Sequence, residues 1–282
     1  MGDNILALSV VDKIIGTAPY MCEGSFPERI AYARQLGYGG VELNISDPGR
    51  LDIPALKRAV GNDMQITAFG TGRAYVNDGV SLTDPNSEVR RAAAARLYEF
   101  LDIAGEFQSM VIIGCIRGNI RTAGDGPRVL QMLGEVMGGI DSYARRRGVT
   151  VVFEPINRYE NNFLCTVEDV ADFIHKHNLT NTKILMDTFH MNIEEEDLVQ
   201  SIETYGDDVA YVHIADSNRK YPGCGHTDFP AIFSALARKK YQGPFCAECH
   251  AKGDREAGCR AWLSAVRELI GAPREEHEGR RE

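Results

Sequence analysis

Four side chains with metal-binding chemistry each end a short apolar run of this chain: Glu154, Asp187, His213 and Glu248. Successive members lie 33, 26 and 35 residues apart, and each interval is close to the length of one strand followed by one helix. In a closed barrel of eight such units, the carboxyl ends of all parallel strands meet at one mouth, where active sites lie. The spacing therefore predicts an α/β fold, a (β/α)8 TIM barrel, in which the four side chains converge.

Eight segments predict strands, and most of them are continuous runs of β-branched or apolar residues. Such runs indicate parallel strands that are covered on both faces, whereas half-buried strands alternate polar and apolar residues. Amphipathic segments lie between the runs, so the order of elements predicts right-handed strand–helix–strand units. The predicted strands are Ile5–Val10, Gly40–Leu43, Gln65–Phe69, Met110–Gly114, Val149–Phe153, Lys183–Met186, Val209–Ile214 and Pro244–Ala247. The predicted helices are Phe26–Leu36, Pro85–Phe107, Val129–Arg147, Val167–His177, Glu194–Tyr205, Asp228–Lys239 and Arg255–Ile270.

The length of 282 residues, 44% of them apolar, is enough for one large core, and eight strands favour a closed barrel over an open sheet. We expect a single TIM-barrel catalytic domain over residues 1–272 and a charged, disordered tail over residues 273–282. The net charge of −9 argues against nucleic acid or an acidic membrane surface as the main partner. The chain has neither a run of 18 apolar residues nor a basic, cleavable N-terminal segment, so the expected location is the cytoplasm.

The four strand-end side chains predict a divalent metal site. Three carboxylates and one imidazole form an oxygen-rich ligand set that suits Mn²⁺, Mg²⁺ or Co²⁺, whereas many zinc sites contain thiolates. Zn²⁺ also fits this set. Carboxylates that share one pocket cannot all ionise cheaply without a cation among them. The alternative is that each acid caps a helix or pairs with a base, and that His213 is a hydrogen-bonded core residue. Four such residues closing four consecutive strands favour the metal site, with Glu154, Asp187, His213 and Glu248 as its ligands.

Further polar residues follow the predicted strands and indicate a substrate pocket. Arg73 and Arg117 each lie in a glycine-containing loop after a strand, where a guanidinium can bind a carboxylate through two hydrogen bonds. A surface salt bridge is the alternative for both arginines. His226 lies in the segment PGCGHTDF and is predicted to point into the mouth and contact substrate. Loop capping is the alternative for His226 and for its polar neighbours.

Several segments resemble those of sugar isomerases and epimerases of the xylose-isomerase-like barrel superfamily, and above all those of ketose 3-epimerases. They are FEPINRYE, MDTFHMNIEEE, VHIADSNR, PGCGHTDF and CAECH. Two others, FGTGRAYVNDGVSLTDPN and VIIGCIRG, are more similar to the 5-keto-L-gluconate epimerase branch. The resemblance covers nearly the whole chain and implies the same four metal ligands, with Glu154 and Glu248 doubling as the acid/base pair. It also implies that Glu160, His190 and Arg219 hold the O1/O2 end of the substrate.

The implied activity is a metal-dependent epimerase that inverts the carbon next to the ketone of a ketohexose or keto-hexonate. Inversion through an enediolate needs one base on each face, and the resemblance assigns these roles to Glu154 and Glu248. A divalent cation, Mn²⁺ first among the candidates, stabilises the developing charge as a Lewis acid. The expected partner is therefore a small-molecule ketose or keto-sugar acid, and neither nucleic acid nor a membrane. The resemblance also implies a homodimer or a homotetramer.

Other reactions remain as alternatives on the same predicted site. Aldose–ketose isomerases, hydroxypyruvate isomerases and inosose dehydratases use a similar cation and a similar intermediate, and the ADSNR segment favours the epimerases over them. An abasic-site endonuclease needs additional histidine ligands from the second to fourth strands, but no histidine precedes His175. A sugar-binding barrel without activity predicts loss of Glu154 or Glu248, and both are present.

Overall fold

Eight parallel strands close into a barrel in the part of the chain that the computed structural model describes, residues 4–122 and 124–271. The strands are β1 (Leu6–Val11), β2 (Cys22–Glu23), β3 (Gly40–Asn44), β4 (Gln65–Gly70), β5 (Met110–Ile113), β6 (Val151–Phe153), β7 (Thr182–Asp187), β8 (Val209–His213) and β9 (Phe245–Ala247). The ring consists of β1 and of β3 to β9, each paired with the next in chain order, and β9 pairs with β1 to close it. The two-residue β2 pairs only with the carboxyl end of β1. The predicted TIM barrel is confirmed, while the predicted tail, 273–282, lies outside the described residues.

All eight predicted strands are present, with ends that differ by at most two residues. The described helices are α1 (Phe26–Leu36), α2 (Ile53–Val60), α3 (Gly72–Asp78), α4 (Ser87–Phe107), α5 (Gly126–Arg147), α6 (Val167–Lys176), α7 (Thr188–Glu194), α8 (Leu198–Tyr205), α9 (Phe229–Arg238) and α10 (Arg255–Gly271). The predicted helix Glu194–Tyr205 is wrong at its start, because Asp197 accepts a hydrogen bond from Gln200 N at 3.0 Å and begins α8 there. Every helix described is too short or too polar to cross a membrane.

The inside of the barrel is filled by a layer of side chains. Seven of the eight ring strands each contribute one buried residue: Ala7, Ala68, Ile112, Val152, Leu185, Tyr211 and Cys246. The Tyr211 hydroxyl would be costly to bury alone, and it is paired with Thr67 Oγ1 at 2.7 Å. Because this layer closes the interior, the space for a ligand lies at the carboxyl ends of the strands.

A second core lies between the barrel and the helices. The fully buried Trp262 of α10 stacks on Tyr38 with ring centroids 5.8 Å apart, and its indole Nε1 donates to Ile214 O at 2.8 Å. Burying an aromatic side chain of this size stabilises the fold by roughly 2–3 kcal/mol. Since Ile214 directly follows β8, this contact anchors the last helix to the strand that ends in His213.

Strand pairing brings the predicted metal ligands to one level. Asp187 and His213 are the last residues of β7 and β8 and are direct partners in the register. Cys246 of β9 is the partner of His213, and Glu248 follows two residues later. Glu154 directly follows β6 on the other side of β7. Backbone pairing, and not a flexible loop, therefore sets the relative positions of these side chains.

Candidate active site and metal centre

The ends of β6 to β9 bring four side chains to a single point. The donor atoms of Glu154, Asp187, His213 and Glu248 all lie within 4.8 Å of one another, and all four residues are buried. His213 Nδ1 lies 3.7 Å from Glu154 Oε1 and 3.6 Å from both Asp187 Oδ2 and Glu248 Oε2. The structure thus brings together the four residues expected to converge, and their binding of a metal stays a prediction.

Two atoms at the centre of this cluster indicate that it fits a divalent cation. Asp187 Oδ2 and His213 Nδ1 are buried and have no hydrogen-bond partner among the described residues. Unpaired buried polar atoms are costly, and nearly all such atoms in proteins find a partner. Their separation of 3.6 Å is too long for a hydrogen bond and is close to that of two ligands on one cation.

The two carboxylate oxygens of Asp187 have different surroundings. Oδ1 accepts from the backbone N–H groups of Phe189 at 2.7 Å and His190 at 3.4 Å, and so caps the first turn of α7. Oδ2 is left to face the other donor atoms. The cap fixes the orientation of the carboxylate and ties it to the helix that carries His190.

A fifth buried side chain, Glu42 of β3, orients the His213 ring. His213 Nε2 lies 2.7 Å from Glu42 Oε2 and donates to it, because a carboxylate only accepts. Ser9 Oγ and Asn44 Nδ2 each donate to Glu42 Oε1 at 2.9 Å. A carboxylate behind a histidine leaves its other ring nitrogen free as a metal ligand. Glu42 is not among the residues predicted above, and its only signal was an acid inside the apolar run GVELN.

Burial and mutual repulsion make this cluster electrostatically expensive without a cation. Burial raises the pKa of Glu248 to about 8, with Glu154 and Glu42 adding to the rise and His213 and Arg219 opposing it. Burial disfavours a charged His213, but Glu42 and Glu248 outweigh it and hold the histidine pKa well above its usual range. A divalent cation favours the ionised carboxylates and the neutral imidazole, so it relieves both effects.

A second group of polar side chains, Glu160, His190 and Arg219, lies beside the two glutamates. Arg219 Nη1 donates to Glu160 Oε1 at 2.6 Å, and Arg219 Nη2 lies 3.5 Å from Glu248 Oε2. His190 Nε2 lies 3.8 Å from Glu154 Oε1 and 3.5 Å from Arg219 Nη2. The structure therefore brings these three residues next to the cluster, as expected for groups that hold the reacting end of a substrate.

The neighbours of His190 define which of its nitrogens carries the proton. Asn157 Nδ2 lies 2.6 Å from His190 Nδ1 and also donates to Glu160 Oε1 at 3.1 Å, while Asn157 Oδ1 accepts from Tyr159 N at 3.0 Å. His190 Nδ1 is therefore the acceptor, and burial lowers the pKa of the ring below its usual value. The neutral ring then carries its proton on Nε2, on the side of the cavity, so the 3.5 Å approach of the donor-only Arg219 Nη2 to this nitrogen is a contact and not a hydrogen bond.

A cavity of about 440 Å³ opens over both groups. Its polar lining includes Glu154, Glu248, His190 and Arg219. The loop after β1, helix α3 and strand β5 contribute mainly apolar lining residues, among them Ile15, Pro19, Val76 and Ile112. A concave site with a few convergent polar groups and apolar surroundings is typical of small-molecule binding.

Residues 30–269 match the Xylose isomerase-like TIM barrel family. The chain belongs to this family. It is 31% identical to an L-ribulose 3-epimerase of Methylomonas sp., over 78% of this chain and 76% of that protein. It is 30% identical to a ketose 3-epimerase of Arthrobacter globiformis, over 76% of this chain and 74% of that one. These relatives are epimerases, which are isomerase-class enzymes.

Solved structures show the same family fold. An L-ribulose 3-epimerase superposes with a TM-score of 0.81 at 22% identity, over 95% of this chain and 94% of that chain. A 3-keto-D-glucoside 4-epimerase from E. coli superposes with a TM-score of 0.78 at 24% identity, over 93% of this chain and 99% of that chain. A family 2 AP endonuclease from Brucella melitensis also superposes, with a TM-score of 0.73 at 21% identity, over 93% of this chain and 98% of that chain. The fold alone therefore does not distinguish among these activities.

In this member of the family, Arg73 lies in the first turn of α3 and lines the cavity. Its side chain is 6% exposed, and Nη2 lies 3.1 Å from Asp12 Oδ1, whose own side chain is 63% exposed. The alternative, a surface salt bridge, is correct for the pairing with Asp12, but the arginine itself is buried. The position of Arg73 is compatible with the expected contact to substrate.

The structure corrects the expectation for Arg117, which does not line the cavity. Arg117 is fully buried, with its guanidinium carbon 5.4 Å from the ring centre of Phe153 and 5.6 Å from that of Phe163. Its three nitrogens donate to Asn161 Oδ1 and to the carbonyl oxygens of Glu154, Phe163 and Leu164. All three nitrogens are thus engaged by protein oxygens, away from the cavity lining. Arg117 instead anchors the loop after β6 and the backbone of Glu154.

We expect Arg117→Ala to lower the free energy of unfolding by about 3–5 kcal/mol, because it removes a buried cation that makes four hydrogen bonds and deprives three carbonyl oxygens of that partner. The measurement is urea unfolding followed by circular dichroism. Arg128→Ala is a suitable control, since Arg128 is 75% exposed and pairs with Asp125 at 3.2 Å on the surface; its expected change is within about 0.5 kcal/mol. Unchanged stability in Arg117→Ala, with a raised KM for a keto-sugar acid, would contradict this structural role.

The expectation that His226 points into the mouth is wrong. His226 is exposed and does not line the cavity, and its Nδ1 lies 3.0 Å from Ser217 Oγ. The loop is built around Asp216, which accepts from the N–H groups of Gly223 at 2.9 Å and Gly225 at 2.7 Å. A side chain at position 225 would collide with Ser217 Oγ, 2.3 Å from an added Cβ. Loop capping, the alternative considered for this segment, describes it better.

Proposed function

We propose that this chain is a divalent-metal-dependent epimerase that inverts the carbon next to the ketone of a ketohexose or keto-hexonate. One observation carries the proposal: Glu154 and Glu248, buried at the ends of β6 and β9, face a single point from two strands separated by β7 and β8. Relatives named as ketose 3-epimerases support the reaction class. The proposal also includes Glu154, Asp187, His213 and Glu248 as the metal ligands.

Inversion needs a proton to leave one face of the carbon and another to arrive at the opposite face. One of Glu154 and Glu248 removes the proton as a base, and the other delivers a proton as an acid. The two residues exchange these roles when the reaction runs in reverse. A positioned general acid or base typically contributes about 10²–10⁴-fold to the rate. With a cation bound, both carboxylates are held ionised, which is the form in which each can accept a proton.

A bound divalent cation supplies Lewis-acid stabilisation for negative charge on the ketone and adjacent hydroxyl oxygens. Mn²⁺ is our first candidate because the ligand set is rich in carboxylates, and Mg²⁺, Co²⁺ and Zn²⁺ are the others. Glu42 keeps the ring of His213 turned towards the shared point. The backbone cap on α7 does the same for Asp187.

His190 and Arg219 hold the reacting end of the substrate in this proposal. His190 offers Nε2–H, and Arg219 offers its guanidinium, which Glu160 holds through a 2.6 Å ion pair. Both donors lie within 4 Å of a catalytic glutamate oxygen, so they reach the same part of the substrate. Correct placement of the reacting carbon matters because a shift of about 1 Å can lower the rate 10²-fold.

The remaining parts of the proposal concern the whole protein. We place one catalytic domain over residues 1–272 and a small-molecule ketose or keto-sugar acid as the partner. The net charge of −9 gives little attraction to nucleic acid. A homodimer or homotetramer in the cytoplasm is the expected state, on the basis of the family resemblance.

Deuterium exchange tests the reaction directly. Metal-loaded protein is incubated in D₂O with ketohexoses and keto-hexonates, and NMR locates the deuterated carbon. We expect a new diastereomer with deuterium at the carbon beside the internal ketone, and a loss of at least about 10²-fold after chelation of the metal. Exchange at the terminal C1 alone would make the protein an isomerase, and no exchange on any substrate would contradict the proposal.

A further inference from the structure

Among the described residues, two arginines are almost fully buried, and they differ in how their hydrogen-bond donors are used. Every nitrogen of Arg117 donates to a protein oxygen. Arg73 makes a single side-chain hydrogen bond among the described residues, from Nη2 to Asp12 Oδ1, and its buried Nε has no partner. A guanidinium carries five N–H donors, so most of those of Arg73 have no protein partner in the described part of the chain.

The single partner of Arg73 holds it weakly. Asp12 follows β1, and its side chain is 63% exposed, so water competes with Arg73 for the carboxylate. Solvent on the Asp12 side weakens the attraction relative to that of a fully buried ion pair. A buried cation with one weak partner and a cavity beside it is an unusual arrangement for a purely structural arginine. The same Asp12 oxygen also accepts from Lys13 N at 2.8 Å, so it is shared between the guanidinium and its own loop.

The place of Arg73 in the ring sets it across the mouth from the metal cluster. Arg73 follows β4, the third strand of the ring, whereas His213 ends β8, which is the seventh. In a ring of eight strands, the third and the seventh lie opposite each other. Arg73 is flanked in the cavity lining by Val76 and Ile15, so an anion bound there sits among apolar groups that strengthen the attraction.

We propose that Arg73 binds the carboxylate of a keto-sugar acid whose ketone lies at the opposite end of the carbon chain. This inference rests on the proposed epimerase function and selects the anionic member of its substrate class. The planar fork of arginine matches a carboxylate through two hydrogen bonds. An acid with its ketone next to the carboxylate does not fit, because its charged group would then lie at the metal cluster and far from Arg73.

The charge of the cavity favours a carboxylate over a phosphate. Two guanidinium groups line it, those of Arg73 and Arg219, against four carboxylates: Glu42, Glu154, Glu160 and Glu248. Arg219 is paired with Glu160, lies 3.5 Å from Glu248 and is proposed to hold the reacting end of the substrate, whereas Arg73 has the exposed Asp12 as its one carboxylate partner among the described residues. Arg73 is therefore the lining guanidinium with the most donors to spare for a second anionic group. A singly charged group is balanced by one guanidinium, whereas a phosphate brings a charge of about −2.

The test compares matched substrates on matched variants. The substrates are a ketohexuronate with its ketone at C2 and carboxylate at C6, the neutral ketohexose of the same configuration, its 6-phosphate, and a hexonate with its ketone beside the carboxylate. For Arg73→Gln we expect KM for the first acid to rise about 30- to 100-fold, with KM for the neutral ketose within about threefold. Arg73→Lys keeps the charge without the fork, and its KM for the acid is expected to rise about tenfold.

Circular dichroism and metal content show whether Arg73→Gln is folded with its metal site intact, and the neutral ketose shows whether a loss is specific to the acid. Arg128→Gln removes an exposed charge from the surface and should change neither KM. Equal effects of Arg73→Gln on the acid and the neutral ketose, or Arg73-dependent preference for the 6-phosphate or for the acid with adjacent ketone, would overturn the inference. Absence of turnover on all four substrates would contradict the proposed function instead. In that event calorimetry decides about Arg73: weaker hexuronate binding by Arg73→Gln supports the inference, and equal binding overturns it.

Discussion

Glu154→Gln and Glu248→Gln should each reduce epimerisation by at least about 10³-fold in a protein that remains folded. Glutamine has nearly the shape of glutamate and keeps a carbonyl oxygen, but it cannot accept a proton. The two variants are expected to differ in what they retain. With one base left, a variant can remove a proton from one face and return deuterium to the same face, which gives exchange without inversion.

This difference makes the two-base mechanism testable residue by residue. In D₂O, Glu154→Gln should exchange only one of the two epimers, and Glu248→Gln only the other, with NMR as the measurement. Exchange of the same epimer by both variants would show that a single base serves both faces. Metal content must be measured for each variant, because both residues are also proposed ligands. Glu256→Gln, which removes an exposed carboxylate paired with Arg260 at 2.7 Å, is the matched control.

Glu42→Gln should weaken binding of the divalent cation by about 10- to 100-fold, although Glu42 is not one of the proposed ligands. Its carboxylate accepts the Nε2–H of His213 at 2.7 Å and is itself held by Ser9 and Asn44. An amide at this position can turn its NH₂ group towards the ring, which favours the wrong tautomer of His213. The measurement is metal titration, followed by activity and by calorimetry.

A positioning role predicts a specific pattern for this variant. Saturating metal should restore most of kcat in Glu42→Gln, and the midpoint of the metal titration should move while KM for the ketose changes little. Glu42→Asp keeps the charge and should bind the cation more tightly than the amide variant does. If Glu42→Gln binds the metal as tightly as the parent protein but has lost kcat, Glu42 acts in the chemical step and not through His213.

Most of the barrel could be predicted because its strands have a strong local signal. Strands such as β5 and β8 are short apolar runs, since parallel strands of a barrel are covered on both faces. Short helices carry less information. The α3 segment Gly72–Asp78 has seven residues and no side-chain cap, so no periodicity marks it. The break between α7 and α8 depends on a cap by Asp197, which the apolar pattern does not contain.

The site was predictable to the extent that it depends on strand ends. Glu154 and Glu248 stand where the strands stop, and the barrel itself brings them together. Glu42 has no such signal, because its partner His213 lies 171 residues away in the chain. Arg117 follows a strand end just as Arg73 does, yet the two side chains turn in different directions, one into the protein and one to the cavity. Sequence position does not reveal that direction.

The cap that Asp187 places on α7 links the proposed binding of a cation to the position of His190. The same carboxylate holds the amide of His190 through one oxygen and offers the other to the shared ligand point. An ion of a different radius would pull on that carboxylate, and the pull would tilt the first turn of the helix and swing the imidazole with it. Exchange of one cation for another would then alter which sugars are accepted as well as how fast they react.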